Sequence, residues 1–454
     1  MNKHIQRLLD EIPNFSRFLT LDELDASTQA LAAEYPDIVT LSTVGYSTDG
    51  HPIQMLRIGN GPHRALFVGC PHPNEPIGAM TVEYLSRKLC EEPTLLKELD
   101  YTFYFIKAID VDGLRLNEGW LKGPYSLEEY IRWYYRPALV EQVEWTFPYE
   151  YKSFKFNTPM PETLAFMNAI DEAQPHFLNS LHNADKIGTF FYLSERLNED
   201  LYQQLCTLVT DSGLPLMKGE PEAPYISLLT EGFYQMPVMS QVYDFYESKL
   251  PKGEDPANSL QSGATSFEYS HSRYGTYNLI SEVTIFADAR MGDRSPTQQL
   301  RRDAVMESEA VVKECCAYLQ QQYQRVLPFI ITESRLNNAV KDFLKGYDHQ
   351  VDHDSTWTDN EPVLDRPATV AELLDIRLQY WGTVLCVASM FIRVIEGLPD
   401  NPELEQIHSE TKAWLDKELK NYLSHWNWSM PPIRELCRVQ LGSALLIMEH
   451  LQKA

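Results

Sequence analysis

"RALFVGCPHPNEPIGAMTVEYLSRKLC" runs from Arg64 to Cys90 and contains three patterns in sequence. Arg64–Cys70 is apolar without alternation, as expected of a strand buried on both faces of a sheet. Pro76–Cys90 has helical spacing, and Pro76 suits its first turn. Between them lies a loop that carries His72 and Glu75. Ligands of such sheets collect at the carboxyl ends of strands. An imidazole and a carboxylate three residues apart can converge on one divalent ion from a tight loop. The spacing alone admits a second reading, a loop histidine followed by a carboxylate that faces the positive end of the helix.

Outward from this stretch, "LDELDASTQALAAEYP" (21–36) reads as a helix. "IVTLSTVGYSTDGHPIQMLRIGNG" (38–61) reads as two strands with an Asp-Gly turn. "YTFYFIKAID" (101–110), "HFLNSLHNA" (176–184) and "GTYNLISEVTIF" (275–286) read as further strands, and "PETLAFMNAIDEA" (161–173) as a helix between them. A long helix is expected across 295–323. This alternation predicts an α/β fold with a mixed, mostly parallel sheet sandwiched by helices. His72, Asp112, His182 and Glu282 fall at strand ends or just past them. His182 is a third ligand candidate, although a single histidine is more often a satisfied half-buried one. Glu282 lies inside an apolar strand, where a carboxylate is costly unless paired, functional or turned outward at an edge.

Beyond residue 325 the pattern changes. Helical spacing returns over roughly 368–397, 403–424 and 431–452, after the polar stretch "DHQVDHDSTWTDNEP". The expected division is a catalytic domain over 1–325 and a helical C-terminal region over 326–454. His349 and His353 stand four apart, but their polar surroundings favour a solvated connector. A formal net charge of -25 repels phosphate backbones and argues against a nucleic-acid partner. Seven cysteines without a CxxC pair suit a reduced protein. Cys70 reads as a small buried residue rather than a ligand. The N-terminus lacks the apolar core of a signal peptide. No apolar run is expected to reach the ~20 residues of a membrane span. Together these lead to the expectation of a cytoplasmic protein.

The motifs taken together resemble the zinc carboxypeptidase (carboxypeptidase A-like) family. "ALAAEYPDIVTLSTVGYSTDGHPIQMLRIG" is similar to the family's opening helix, turn and hairpin. "HPNE" resembles its His-x-x-Glu pair, "DVDG" its "NPDG" turn, "SLHN" its second histidine strand and "SEVTIF" the strand of its catalytic glutamate. The resemblance covers about residues 18–325. It implies Zn²⁺ held by His72, Glu75 and His182. It also implies Glu282 as the general base that takes a proton from zinc-bound water and passes it to the leaving amine.

The substrate end departs from the family pattern. In "LRLNEGWLKGP", Asn117 and Trp120 match, Glu118 replaces an arginine, and the oxyanion arginine falls on Leu121 beside Lys122. The Asn-Arg pair that clamps a peptide's terminal carboxylate is absent between Pro124 and His182, where "VEWTFPYEY" stands. The family's mobile tyrosine falls on Leu260. Asn117, Lys122 and Arg136 are the substrate-binding candidates, with Arg115, Arg132 and Arg273 as further cations. Arg136 leads because its aromatic neighbours in "WYYRP" predict partial burial. The expected partner is a peptide or small amide. Three functions compete: a metallocarboxypeptidase, a zinc amidohydrolase acting on an acyl-amino acid or cell-wall peptide, and a catalytically silent binding protein.

Overall fold

The computed structural model describes residues 3–218, 222–346 and 365–453; His349 and His353 lie outside them. Among the described residues, nine strands form one sheet. In chain order they are β1 (Val39–Tyr46), β2 (Pro52–Ile58), β3 (His63–Gly69), β4 (Tyr101–Ile106), β5 (Phe177–Leu181), β6 (Phe190–Leu193), β7 (Leu228–Thr230), β8 (Phe233–Gln235) and β9 (Tyr277–Glu282). Their spatial order is β1-β2-β4-β3-β5-β9-β6-β8-β7.

The centre, β4-β3-β5-β9, is parallel. Towards the edges, β1-β2, β2-β4, β9-β6 and β8-β7 pair antiparallel, and only β6-β8 is parallel there. The expectation of a mostly parallel sheet therefore holds for the buried middle alone. The cause is local at the β1 edge: the Asp49-Gly50 turn, with Gly50 at φ +83°, folds β1 straight back on β2.

The parallel centre brings the carboxyl ends of β3, β5 and β9 side by side, the usual place for a site in such sheets. β5 is buried throughout and β3 from Ala65 onward, as expected of strands in the middle of a covered sheet. Helices Ile77–Glu91 and Pro161–Ala173 cover the sheet. A Cβ at Gly78 would stand 2.6 Å from Leu181 Cβ, and one at Gly69 would stand 2.4 Å from Lys107 O. Gly78 lets the start of the helix press onto the end of β5, and Gly69 lets the end of β3 meet the main chain that follows β4.

The three late helices lie close to their expected positions, at Val370–Glu396, Pro402–Ser424 and Ile433–Leu451. They do not form a separate appendage. Their buried side chains belong to the same apolar core as the sheet, and Ile433–Leu451 packs on Ile77–Glu91 and against β5 and β9. The 1–325 and 326–454 division thus describes sequence pattern and not two cores. The long helix begins at Arg301; Pro296–Leu300 before it is a strand paired with Pro367–Thr369.

Val370–Glu396 is long and apolar enough to cross a membrane, contrary to the expectation that no run reaches that length. However, 78% of its most apolar window is buried inside the protein, as in the core helix of a folded domain.

Arg335 ties the late region to the early one. Its Nη2 donates to Asp112 Oδ2 at 2.7 Å and to Glu162 Oε1 at 3.1 Å. Asp112 also accepts from Ser47 and the Asp49 amide, and Glu162 from Thr48. Both carboxylates are buried. Arg335→Ala leaves two buried charges without their cation, so a loss of about 3 kcal/mol is expected. Urea unfolding checks this, and a change below about 0.5 kcal/mol, the range of ordinary surface substitutions, contradicts it.

Candidate metal centre

His72 and Glu75 follow β3 in a tight loop that starts at Cys70 with φ +50°. The Glu75 amide donates to His72 O at 3.1 Å, which closes the turn and sets both side chains on one side. His182 follows β5 directly. Its backbone carbonyl accepts from Gln440 Nε2 at 2.8 Å, and Gln440 accepts in turn from Thr81. The late helix Ile433–Leu451 therefore holds the His182 main chain. Glu282 is the last residue of β9, next to β5, and its side chain is 14% exposed.

One ligand atom from each of His72, Glu75 and His182 lies within 4.8 Å of the others, and all three residues are buried. His72 Nδ1 is 3.0 Å from Glu75 Oε1, and His182 Nδ1 is 3.1 Å from Glu75 Oε2. The two Nδ1 atoms are 3.2 Å apart. Glu282 Oε1 is 3.8 Å from His182 Nδ1. Glu75 Oε2 also accepts from the Asn183 amide at 3.2 Å.

The charge states suit a cation. Burial and the adjacent Arg136 push His72 down to about 3, so its imidazole is neutral with a free lone pair. Burial opposes ionisation of Glu75, but the imidazoles of His72 and His182 hold it well below the ordinary carboxylate range. Burial pushes Glu282 well above that range, and the carboxylates of Glu75 and Glu222 add to the effect. A neutral imidazole and an anionic carboxylate are donors that zinc accepts. Ligands on a tetrahedral zinc ion stand roughly 3.3–3.6 Å apart, close to the separations here. Two imidazole nitrogens and a carboxylate oxygen this close together can all turn lone pairs on one cation. Zinc therefore fits the residues present.

Arg136 reaches this cluster. Its Nη1 donates to Glu75 Oε1 at 2.8 Å, its Nε donates to Gln142 at 3.0 Å, and its guanidinium lies 5.6 Å from the centre of the Trp145 ring. Trp145 meets the His72 ring edge to face at 5.4 Å. The side chain of Arg136 is 23% exposed.

Asn117 and Lys122 are placed elsewhere. Asn117 is buried, with its Nδ2 spent on Gly113 O and Tyr135 O and its Oδ1 on the Tyr135 amide and Trp120. It pins the main chain just before Arg136 and has no donor left for a substrate. Lys122 pairs with Glu23, and Glu118 accepts from the Leu21 amide, so this helix face meets the N-terminal segment. Leu121, where the resemblance placed the oxyanion arginine, is fully buried and its carbonyl accepts from Phe18. The helix Leu127–Trp133 lies between Lys122 and Arg136, the cation that reaches Glu75. Of the other cations, Arg115 pairs with Asp22, Arg132 with Glu128 and Asp416, and Arg273 lies over Tyr269.

Cys70 is fully buried, burial together with Glu75 and Asp110 pushes its thiol up, and it lies outside the three-residue donor group. Sequence reasoning did not find Tyr192 and Glu222. Tyr192 Oη donates to Glu222 Oε2 at 2.7 Å, and Tyr192 lies in register with Ile280, on the Glu282 face of β9.

The sequence profile of the zinc carboxypeptidase family matches residues 24–276. The chain belongs to the zinc carboxypeptidase family. A curated relative, carboxypeptidase B from Astacus astacus, is 28% identical over 97 residues, which cover 20% of this chain and 32% of that protein. The match thus spans about a third of the relative's length. Among solved structures, carboxypeptidase A from Helicoverpa armigera shares 14% identity, with a TM-score of 0.40 over 63% of this chain and 71% of that one. Bovine thrombin-activatable fibrinolysis inhibitor also shares 14% identity, with a TM-score of 0.35 over 58% of this chain and 86% of that one. The family match ends before Glu282, so the place of that residue rests on the geometry above.

Proposed function

We propose that this member of the zinc carboxypeptidase family is a zinc-dependent hydrolase of peptide bonds, of the metallocarboxypeptidase kind. The carrying observation is the convergence of His72, Glu75 and His182 within 4.8 Å, with the Glu282 carboxylate 3.8 Å from His182. Zinc, when bound, polarises a carbonyl and lowers the pKa of a coordinated water. Glu282 serves as general base: it accepts a proton from the attacking water and delivers it to the departing amine. Arg136, held by Gln142 and Trp145, supplies positive charge beside the donors for the oxygen that becomes anionic. Burial of the whole set strengthens each of these interactions.

Hydrolysis of a blocked dipeptide, with and without a chelator, tests the proposal. Turnover abolished by chelation and restored by zinc supports it; no turnover of any amide by zinc-loaded protein contradicts it. A second reading, hydrolysis of an acyl-amino acid or cell-wall amide, is favoured by one observation. Between Pro124 and His182 the arginines are Arg132, engaged at the surface, and Arg136, already committed to Glu75. A blocked dipeptide cleaved no faster than its C-terminal amide selects that reading. With Arg136 beside the oxyanion, Arg136→Ala is expected to lower kcat roughly 10²–10³-fold with little change in KM. A rise in KM at constant kcat would instead make it a binding contact.

A further inference from the structure

The stretch that stands where a carboxylate clamp was expected contains a buried glutamate that the proposed chemistry does not use. Glu144 lies in a short 3₁₀ turn, Val143–Trp145, and is 2% exposed. No cation contacts it among the described hydrogen bonds and ion pairs. Its Oε2 accepts from Ser180 Oγ at 3.3 Å, and its Oε1 accepts from Ser266 Oγ. Ser180 Oγ is 3.2 Å from His182 Nε2. Ser180 and Ser266 are each 1% exposed.

Hydrogen-bond direction orders this chain. A carboxylate only accepts, so the Ser180 hydroxyl proton points at Glu144. The Ser180 oxygen then faces His182 with a lone pair, and His182 Nε2 must carry the proton. That leaves Nδ1, the atom 3.1 Å from Glu75, as the unprotonated nitrogen. We infer that Glu144 is a positioning residue that acts through Ser180 to fix the tautomer and orientation of His182 for metal binding. It touches neither substrate nor metal. The inference rests on His182 being a metal ligand, as proposed above.

Zinc affinity is measured first on wild-type protein, by competition with a chromophoric chelator. Absence of zinc binding there defeats the ligand assignment itself. Given binding, Ser180→Ala and Glu144→Ala are each expected to weaken zinc roughly 10–100-fold, the usual cost of losing a partner behind a histidine ligand. The double variant is expected to be no weaker than either single one, because both cut the same chain. Folding is followed separately by circular dichroism. Unchanged affinity in folded Ser180→Ala, or strictly additive losses, overturns the inference. If Glu144→Ala does not fold, the metal-free wild-type protein still decides the matter. Its ¹⁵N-histidine spectrum is expected to show His182 as the Nε2–H tautomer, and an Nδ1–H tautomer overturns the inference.

Discussion

Glu282→Gln is expected to lose nearly all hydrolysis while still binding zinc. The amide keeps the shape of the carboxylate and fits the same space at the end of β9, so the strand has no reason to shift. It cannot accept a proton from water. General-base catalysis contributes typically 10²–10⁴-fold, and a fall in kcat of that order is predicted. Zinc content is expected to be unchanged because Glu282 stands 3.8 Å from the nearest donor nitrogen and outside the three-residue set. Parallel measurement of kcat and of metal content checks both halves. Retained turnover would remove Glu282 from the role of base, whereas lost zinc would make it a fourth ligand.

His182→Ala is expected to weaken zinc binding by more than about 100-fold, beyond what loss of an outer partner alone costs. The scaffold that presents this residue is attached to its backbone: Gln440 donates to the His182 carbonyl, and the Asn183 amide donates to Glu75. Both bonds survive the substitution, so the site loses one donor while the chain around it stays in place. His51→Ala is the control. His51 pairs with Asp25 at 2.7 Å and is not among the three clustered donors, and its loss is expected to leave zinc affinity unchanged. Unchanged metal content in His182→Ala would count against the assignment.

The parts of this site that could be read from sequence are those in which function and local structure coincide. A strand, a His-x-x-Glu loop and a helix occur in order within one short stretch, so His72 and Glu75 could be placed before any tertiary information was used. Glu282 stood out because a carboxylate in an apolar strand needs a physical reason. The late helices were visible in their apolar spacing, and their observed limits differ by a few residues at most. What could not be read is what depends on long-range packing. Gln440 reaches the His182 carbonyl from 258 residues away, and Arg335 reaches Asp112 from 223. Nothing near either residue announces such a partner. Asn117 illustrates the opposite error. Its type suits a substrate contact, yet two donors and one acceptor in a buried place are consumed by the backbone of Gly113 and Tyr135. Lys122 pairs with Glu23, whereas Arg136, which follows the helix Leu127–Trp133, reaches Glu75, and nothing in the local spacing of either residue announces that difference.

The central claim is that one zinc ion is shared by three side chains from two strand ends. Anomalous diffraction at the zinc edge, from crystals of wild-type protein grown with zinc, tests it most directly. The account predicts one peak at roughly 2.0–2.2 Å from a donor atom of each of His72, Glu75 and His182. A zinc peak bound elsewhere, or one that leaves any of these three turned away, would contradict it.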